Sequence, residues 1–277
     1  MKSQVFVYKQ LDTLPLELTF YPQQTKNKKN TTILYFHGGG FLFGQRDDLP
    51  YLNTLVENGF NVLTIDYPLA PETKLVGIIA CLEEAVDWFL NHYQDELQLN
   101  TPNFFLFGRS AGGYLASVLT ANNYKEQLGL IRFYGYHDFN HGSFTLPSTF
   151  YNQYPKVPPM EAQKMVGKRP LANDSQQPRF PLYLSARQYG NWLSYLGPIT
   201  ENLVVKEESL QEFPPTFAVH CDQDPDVPVE ASRQLAAKSP DTLYIELAAN
   251  EHDFDRNPNP QSDDIYARLI DWLVEHS

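Results

Sequence analysis

Cysteine is almost missing from these 277 residues: Cys81 and Cys221 stand alone, in apolar surroundings and outside any CxxC pair. That excludes a disulfide framework, and two free thiols fit a reducing compartment. Basic residues are scarce as well, 21 Lys and Arg against 33 Asp and Glu, for a formal charge of −12. Such a surface repels polyphosphate, so nucleic-acid binding is not expected. The one basic run, Lys26-Asn27-Lys28-Lys29, reads as a solvated loop between two strand-like segments. No run of about 18 apolar residues occurs, which leaves no membrane span. The N-terminus, Met1 to Tyr8, alternates like a strand and lacks a signal peptide's apolar stretch, so a cytoplasmic location is expected. Zinc-ligand spacing, a GxGxxG fingerprint and a Gly-Lys-Ser/Thr ending are also missing, and neither a metal nor a cofactor is expected.

What is present supports a core: 42% hydrophobic residues, 14% of the chain aromatic. Val5 to Lys9 and Leu14 to Tyr21 alternate and predict an antiparallel hairpin. Thr32 to Phe36, Asn61 to Ile65, Asn103 to Phe107, Leu130 to Tyr134, Thr216 to His220 and Leu243 to Leu247 are short apolar runs that predict buried strands. Between them, helical spacing appears at Leu49 to Glu57, Val76 to Tyr93, Ala111 to Thr120 and Val229 to Lys238, and Ile265 to Val274 closes the chain. This alternation predicts an α/β fold, a mostly parallel central sheet with helices on both faces. Residues 139–212 break the pattern with many prolines and aromatics, too long and too apolar for an idle loop. A lid inserted into a core of residues 1–138 and 213–277 is the expectation. Its aromatics Phe144, Phe150, Tyr151, Tyr154, Trp192 and Tyr195 either wall a pocket or form the lid's own core.

Four places carry residues suited to chemistry. Gly108-Arg109-Ser110-Ala111-Gly112 joins a buried strand to a helix, and its glycines remove side chains where the two would collide, which lifts Ser110 off the strand end. His37-Gly38-Gly39-Gly40 is a glycine turn able to aim amides at a developing oxyanion. Gly39 and Gly40, with the Ala111 amide next to the serine, are the expected donors, and His37 is read as a brace for the turn. Asp224 follows the strand Thr216 to His220, with Asp222 and Asp226 as reserves in a run that three alternate carboxylates would also suit to calcium. His252 follows the strand Leu243 to Leu247 and is the expected base.

At these residues the chain resembles the α/β-hydrolase superfamily, and within it the esterases related to hormone-sensitive lipase. The resemblance rests on His37-Gly38-Gly39-Gly40, Asp66-Tyr67-Pro68-Leu69-Ala70-Pro71-Glu72 and Gly108-Arg109-Ser110-Ala111-Gly112, in that order. The later Asp224-Pro225 and His252-Asp253-Phe254 match it too, while the Asp-Pro-Asp-Val-Pro ending is similar to peptidase-like and feruloyl-esterase-like branches. Two positions depart: Arg109 replaces the usual acidic residue beside the nucleophile, and Pro68 replaces an Arg, a pair of changes that suggests mutual compensation. The resemblance implies carboxylic ester hydrolysis through an acyl-enzyme, with Ser110, Asp224 and His252 as triad; a compact pocket walled by the lid's aromatics suits small, short-acyl esters. A peptidase or amidase on the same fold, or a binding protein that retains it, are the alternatives, and a homodimer is the fold's habit.

Overall fold

The computed structural model describes residues 3–25, 30–174 and 178–277. The basic run at 26–29 lies outside the described residues.

The strands β1 (Gln4–Leu11), β2 (Leu14–Tyr21), β3 (Thr32–Phe36), β4 (Asn61–Ile65), β5 (Phe104–Arg109), β6 (Gln127–Phe133), β7 (Thr216–Cys221) and β8 (Thr242–Leu247) form one sheet. Their order is β1-β2-β4-β3-β5-β6-β7-β8. The opening hairpin is antiparallel and joins β4 antiparallel, and every pairing from β4 to β8 is parallel. A register shift at Tyr8 bends β1, and the Tyr8 hydroxyl donates to the Asp66 carbonyl at 2.8 Å.

The helices are α1 (Leu52–Glu57), α2 (Leu75–His92), α3 (Ala111–Thr120), α4 (Pro159–Gln163), α5 (Phe180–Tyr189), α6 (Trp192–Leu196), α7 (Glu230–Lys238) and α8 (Pro260–Glu275). Side chains alternate across each central strand, so neighbours in sequence enter different cores. Leu34, Phe36, Phe104 and Leu106 pack with residues of α2, α3 and α7, whereas Ile33, Tyr35, Phe105 and Phe107 pack with residues of α1 and α8. Full burial on both faces is why these strands read as unbroken apolar runs.

Element ends are where sequence and structure part. Strand β6 starts at Gln127 and stops before Tyr134, whose φ of 39° leaves the extended region. Helix α8 starts five residues earlier than its apolar stripe, because Asn259 and Ser262 form a capping box and Pro260 fills the first helical position. The 139–212 connection divides its aromatics. Phe144, Trp192 and Tyr195 are buried in the core shared with α2 and α3; Phe150, Tyr151 and Tyr154 line a cavity at the sheet's edge, where Tyr151 is also part of that core and Phe150 packs against it.

Parallel strands bring their carboxyl ends to one rim. Phe36 pairs with Gly108, so the loops leaving β3 and β5 start side by side. From β3 the chain steps to β4 on one side and crosses back to β5 on the other, and such a reversal opens a crevice for a ligand.

Candidate active site

Ser110 sits between β5 and α3 with φ 54° and ψ −120°, a conformation rare for a residue with a side chain. The surrounding packing enforces it. A Cβ on Gly108 would lie 2.0 Å from the Gly112 carbonyl oxygen, and one on Gly112 would lie 2.1 Å from that of Phe36. Strand, turn and helix can close this tightly only with hydrogens there. The Ser110 amide donates to Phe133 at 3.0 Å, and its carbonyl accepts from Tyr114 at 3.2 Å. Its backbone is thereby held and its side chain left to the crevice.

His252 Nε2 is 2.8 Å from Ser110 Oγ, and His252 Nδ1 is 2.7 Å from Asp224 Oδ2. The other oxygen of Asp224, Oδ1, accepts from the amides of Asp226 at 2.8 Å and Val227 at 2.9 Å. Burial disfavours the Asp224 carboxylate, but the His252 charge and hydrogen bonds from His220 and His252 outweigh it and hold its pKa well below the usual range. Burial likewise works against a charged His252, yet Asp224, followed by Asp226 and Asp253, pushes that ring up to about 9. An acid of this kind stays ionised and orients the imidazole, whose other nitrogen faces the hydroxyl.

The glycine turn has a clear polarity. The Gly38 carbonyl accepts from the Tyr67 hydroxyl at 3.1 Å. The Gly39 carbonyl accepts from the amides of Leu42 at 3.0 Å and Phe43 at 3.2 Å, and the Gly40 carbonyl from Trp192 Nε1 at 3.0 Å. With these oxygens tied back into the protein, the amides of Gly39, Gly40 and Ala111 keep no hydrogen-bond partner among the described residues. His37 is buried and stacked on Tyr67, ring centroids 4.1 Å apart, with Nδ1 2.8 Å from the Gly38 oxygen. It braces the turn from behind.

A family model described as BD-FAE matches residues 18–239, a span that holds Ser110 and Asp224 and ends short of His252. The chain belongs to the BD-FAE family. A solved protein of unknown function from Staphylococcus aureus subsp. aureus Mu50 aligns over 100% of this chain and 99% of its own, with a TM-score of 0.88 and 28% identity. An α/β hydrolase superfamily protein from Enterococcus faecalis aligns over 99% and 98%, at 0.83 and 26%. The fold is therefore that of the α/β hydrolases, and the likeness to hormone-sensitive-lipase esterases holds. Among curated relatives, the non-reducing polyketide synthase ausA of Penicillium brasilianum is 24% identical over 338 residues, covering 97% of this chain and 13% of the synthase. Lipase 2 of Moraxella sp. (strain TA144) is 27% identical over 210 residues, covering 72% of this chain and 43% of the lipase. The chain thus spans less than half the length of these curated relatives.

Within this BD-FAE member the three alternate carboxylates diverge. Asp222 Oδ1 accepts from the Ala249 amide at 3.0 Å and ties the loop that carries Asp224 to the one that carries His252. Asp226 accepts from the hydroxyls of Tyr183 at 2.7 Å and Tyr151 at 3.0 Å, with Arg187 Nη2 3.0 Å from its other oxygen. Among the described residues no group of three acidic, His or Cys side chains is placed to hold a metal ion. Asp226 Oδ2 is also 4.0 Å from His252 Nε2, so it borders the site without joining the row.

Arg109 overturns the compensation expected between positions 109 and 68. Its guanidinium pairs with Asp255 at 3.0 Å, while Asp66 pairs with Arg46. The side chain at 109 turns toward the α8 face of the sheet, away from the segment that carries Pro68, and so meets a carboxylate 146 residues further on.

His220 escaped the sequence reading, where it merely ended a strand. It is fully buried; its Nε2 is 3.1 Å from Asp224 Oδ2 and its Nδ1 2.7 Å from Ser232 Oγ. Burial lowers its pKa more than Asp224 raises it, so it serves the carboxylate as a neutral donor. The four-residue spacing to Asp224 was the available signal. The rim around these groups encloses a cavity of about 740 Å³ bounded by Ser110, His252, Gly40, Phe43, Tyr183 and Phe180 among others.

Proposed function

We propose that this protein is a serine hydrolase of small carboxylic esters, with Ser110 as nucleophile, His252 as general base and acid, and Asp224 as its orienting carboxylate. One observation carries the reading: the hydroxyl, imidazole and carboxylate stand in a hydrogen-bonded row of 2.8 and 2.7 Å, beside amides of Gly39, Gly40 and Ala111 that have no partner among the described residues. Ser110 Oγ attacks the ester carbonyl while His252 Nε2 takes its proton. The carbonyl oxygen becomes an oxyanion held by the amides of Gly39, Gly40 and Ala111. His252 returns the proton to the departing alcohol, then activates water against the acyl-enzyme. Lipase 2 of Moraxella, among the relatives, supports ester chemistry. The two buried free cysteines support a reducing cytoplasm.

The aromatics of the 139–212 connection that line the cavity act as a lid over the acyl group, and short acyl chains suit the aromatic walls. A panel of p-nitrophenyl esters of increasing acyl length, run beside aminoacyl anilides, tests the substrate class. The acetyl and butyryl esters should turn over fastest and the anilides hardly at all. Preference for the anilides would replace the esterase with a peptidase. Stoichiometric labelling of Ser110 by an organophosphate is expected, and its failure in folded protein would leave a binding protein.

A further inference from the structure

Arg109 and Asp255 form a buried ion pair that the reaction above does not use. Arg109 is 6% exposed and Asp255 fully buried. One immediately precedes Ser110 at the end of β5; the other lies three residues beyond His252, on the irregular stretch between β8 and α8. Tyr134, just past β6, joins them: its hydroxyl accepts from Arg109 Nε at 2.7 Å and donates to Asp255 Oδ1 at 2.5 Å. The same Tyr134 ring stands edge-on to the His252 imidazole, centroids 4.8 Å apart. The remaining polar groups are satisfied. Asp255 Oδ2 accepts from the Tyr266 hydroxyl of α8 at 2.8 Å, and Arg109 Nη1 donates to the Asp48 carbonyl at 3.2 Å and the Tyr35 hydroxyl at 3.3 Å.

A loop without regular structure has no ladder to fix it, and an imidazole displaced by about 1 Å can cost a hundredfold in rate. We propose that the Arg109–Asp255 pair, joined through the Tyr134 hydroxyl, is a positioning clamp that holds the His252 loop against the nucleophile strand and sets the imidazole in line with Ser110. The proposal rests on the serine-hydrolase reading. The clamp acts through geometry: Asp224, Asp226 and Asp253 do most to raise the His252 pKa, and Arg109 and Asp255 together are a neutral pair. Losing the clamp should therefore lower kcat and leave the pH at which the base titrates where it was.

The decisive variant changes both members at once, Arg109→Gln with Asp255→Asn. It removes both buried charges together, so neither is stranded, and it keeps polar groups for the tyrosine hydroxyls. A merely structural pair would give a protein that, once folded, turns over normally. The clamp predicts a folded double variant whose kcat on p-nitrophenyl butyrate falls about 10- to 100-fold, with KM within twofold and an unmoved acid limb. Wild-type kcat in the folded double variant overturns the proposal, as does an acid limb that moves by a full pH unit. Should the double variant not fold, Tyr134→Phe decides, since it deletes only the bridging hydroxyl: a severalfold loss of kcat at constant KM supports the clamp, and unchanged kcat refutes it. Failure of the underlying reading shows separately, as ester turnover that survives Ser110→Ala in otherwise wild-type protein.

Discussion

The Ser110 corner and the His252 corner of this site are built by different means. Ser110 is placed by backbone sterics: Gly108 lies against the Gly112 carbonyl within the turn and Gly112 against the Phe36 carbonyl at the end of β3, both too closely for a methyl group. His252 is placed by contacts from across the chain: Asp224 28 residues away, Tyr134 against its ring, and Asp255 anchored to Arg109. The first arrangement cannot form wrongly without disturbing the sheet. The second can relax locally while the fold persists, because His252 lies on an irregular stretch held by side-chain contacts. Variants at the two corners should therefore separate loss of fold from loss of rate.

Gly112→Ala should have the largest effect, since its Cβ would sit 2.1 Å from a backbone oxygen of β3. We expect no soluble folded protein, or a melting temperature lowered by more than about 10 °C, a shift of several kcal/mol. A folded and active Gly112→Ala protein would break the contrast at once. Asp224→Asn should instead fold normally and lose about 10,000-fold in kcat, because the amide favours the wrong imidazole tautomer. Circular dichroism beside ester kinetics reads both effects. Gly39→Ala should cost about 100- to 1,000-fold in kcat, through a φ of 95° and a Cβ that would overlap the Phe43 carbonyl, so the turn must shift its amides.

Smaller effects lie in the pH profile. Only the neutral ring takes the serine proton, and His252 is pushed up to about 9 from the ordinary 6.5, so kcat/KM should still be rising with pH well above neutrality. An acid limb at or below 6.5 would contradict the carboxylates' hold on the ring. In the residual activity of Asp224→Asn that limb should fall, since the first of those carboxylates has gone. His220→Leu should give the smallest change, a few-fold loss of kcat with the limb moved upward. Asp224 then loses a competing donor and holds the imidazolium more strongly. An unchanged profile would reduce His220 to a packing residue.

Much of this was legible before any coordinates. The buried strands announce themselves because both faces of a central parallel strand are apolar, and Gly108-Arg109-Ser110-Ala111-Gly112 announces the elbow because its two glycines stand where a strand passes into a helix. Ser110, the run Asp222 to Asp226 and His252 could likewise be picked out because they follow the strands β5, β7 and β8. Less legible was anything whose partner is distant. Arg109 looked like a departure seeking compensation at Pro68 and found it in Asp255. His220 looked like the end of a strand and proved to be a donor to Asp224. In the 139–212 connection the aromatics divide between core and cavity, a division that depends on which way each short helix turns and that composition cannot encode.

By itself, then, the sequence determined the α/β layering, through its periodicity, and marked the elbow at Ser110 and the glycine turn, through glycines where a strand passes into a turn. Only the tertiary structure decided which of three carboxylates meets His252, where the guanidinium of Arg109 is neutralised, and which aromatics face the crevice. Those outcomes depend on hydrogen bonds between groups up to 146 residues apart, whose geometry exists only after the sheet has brought its strand ends to one rim.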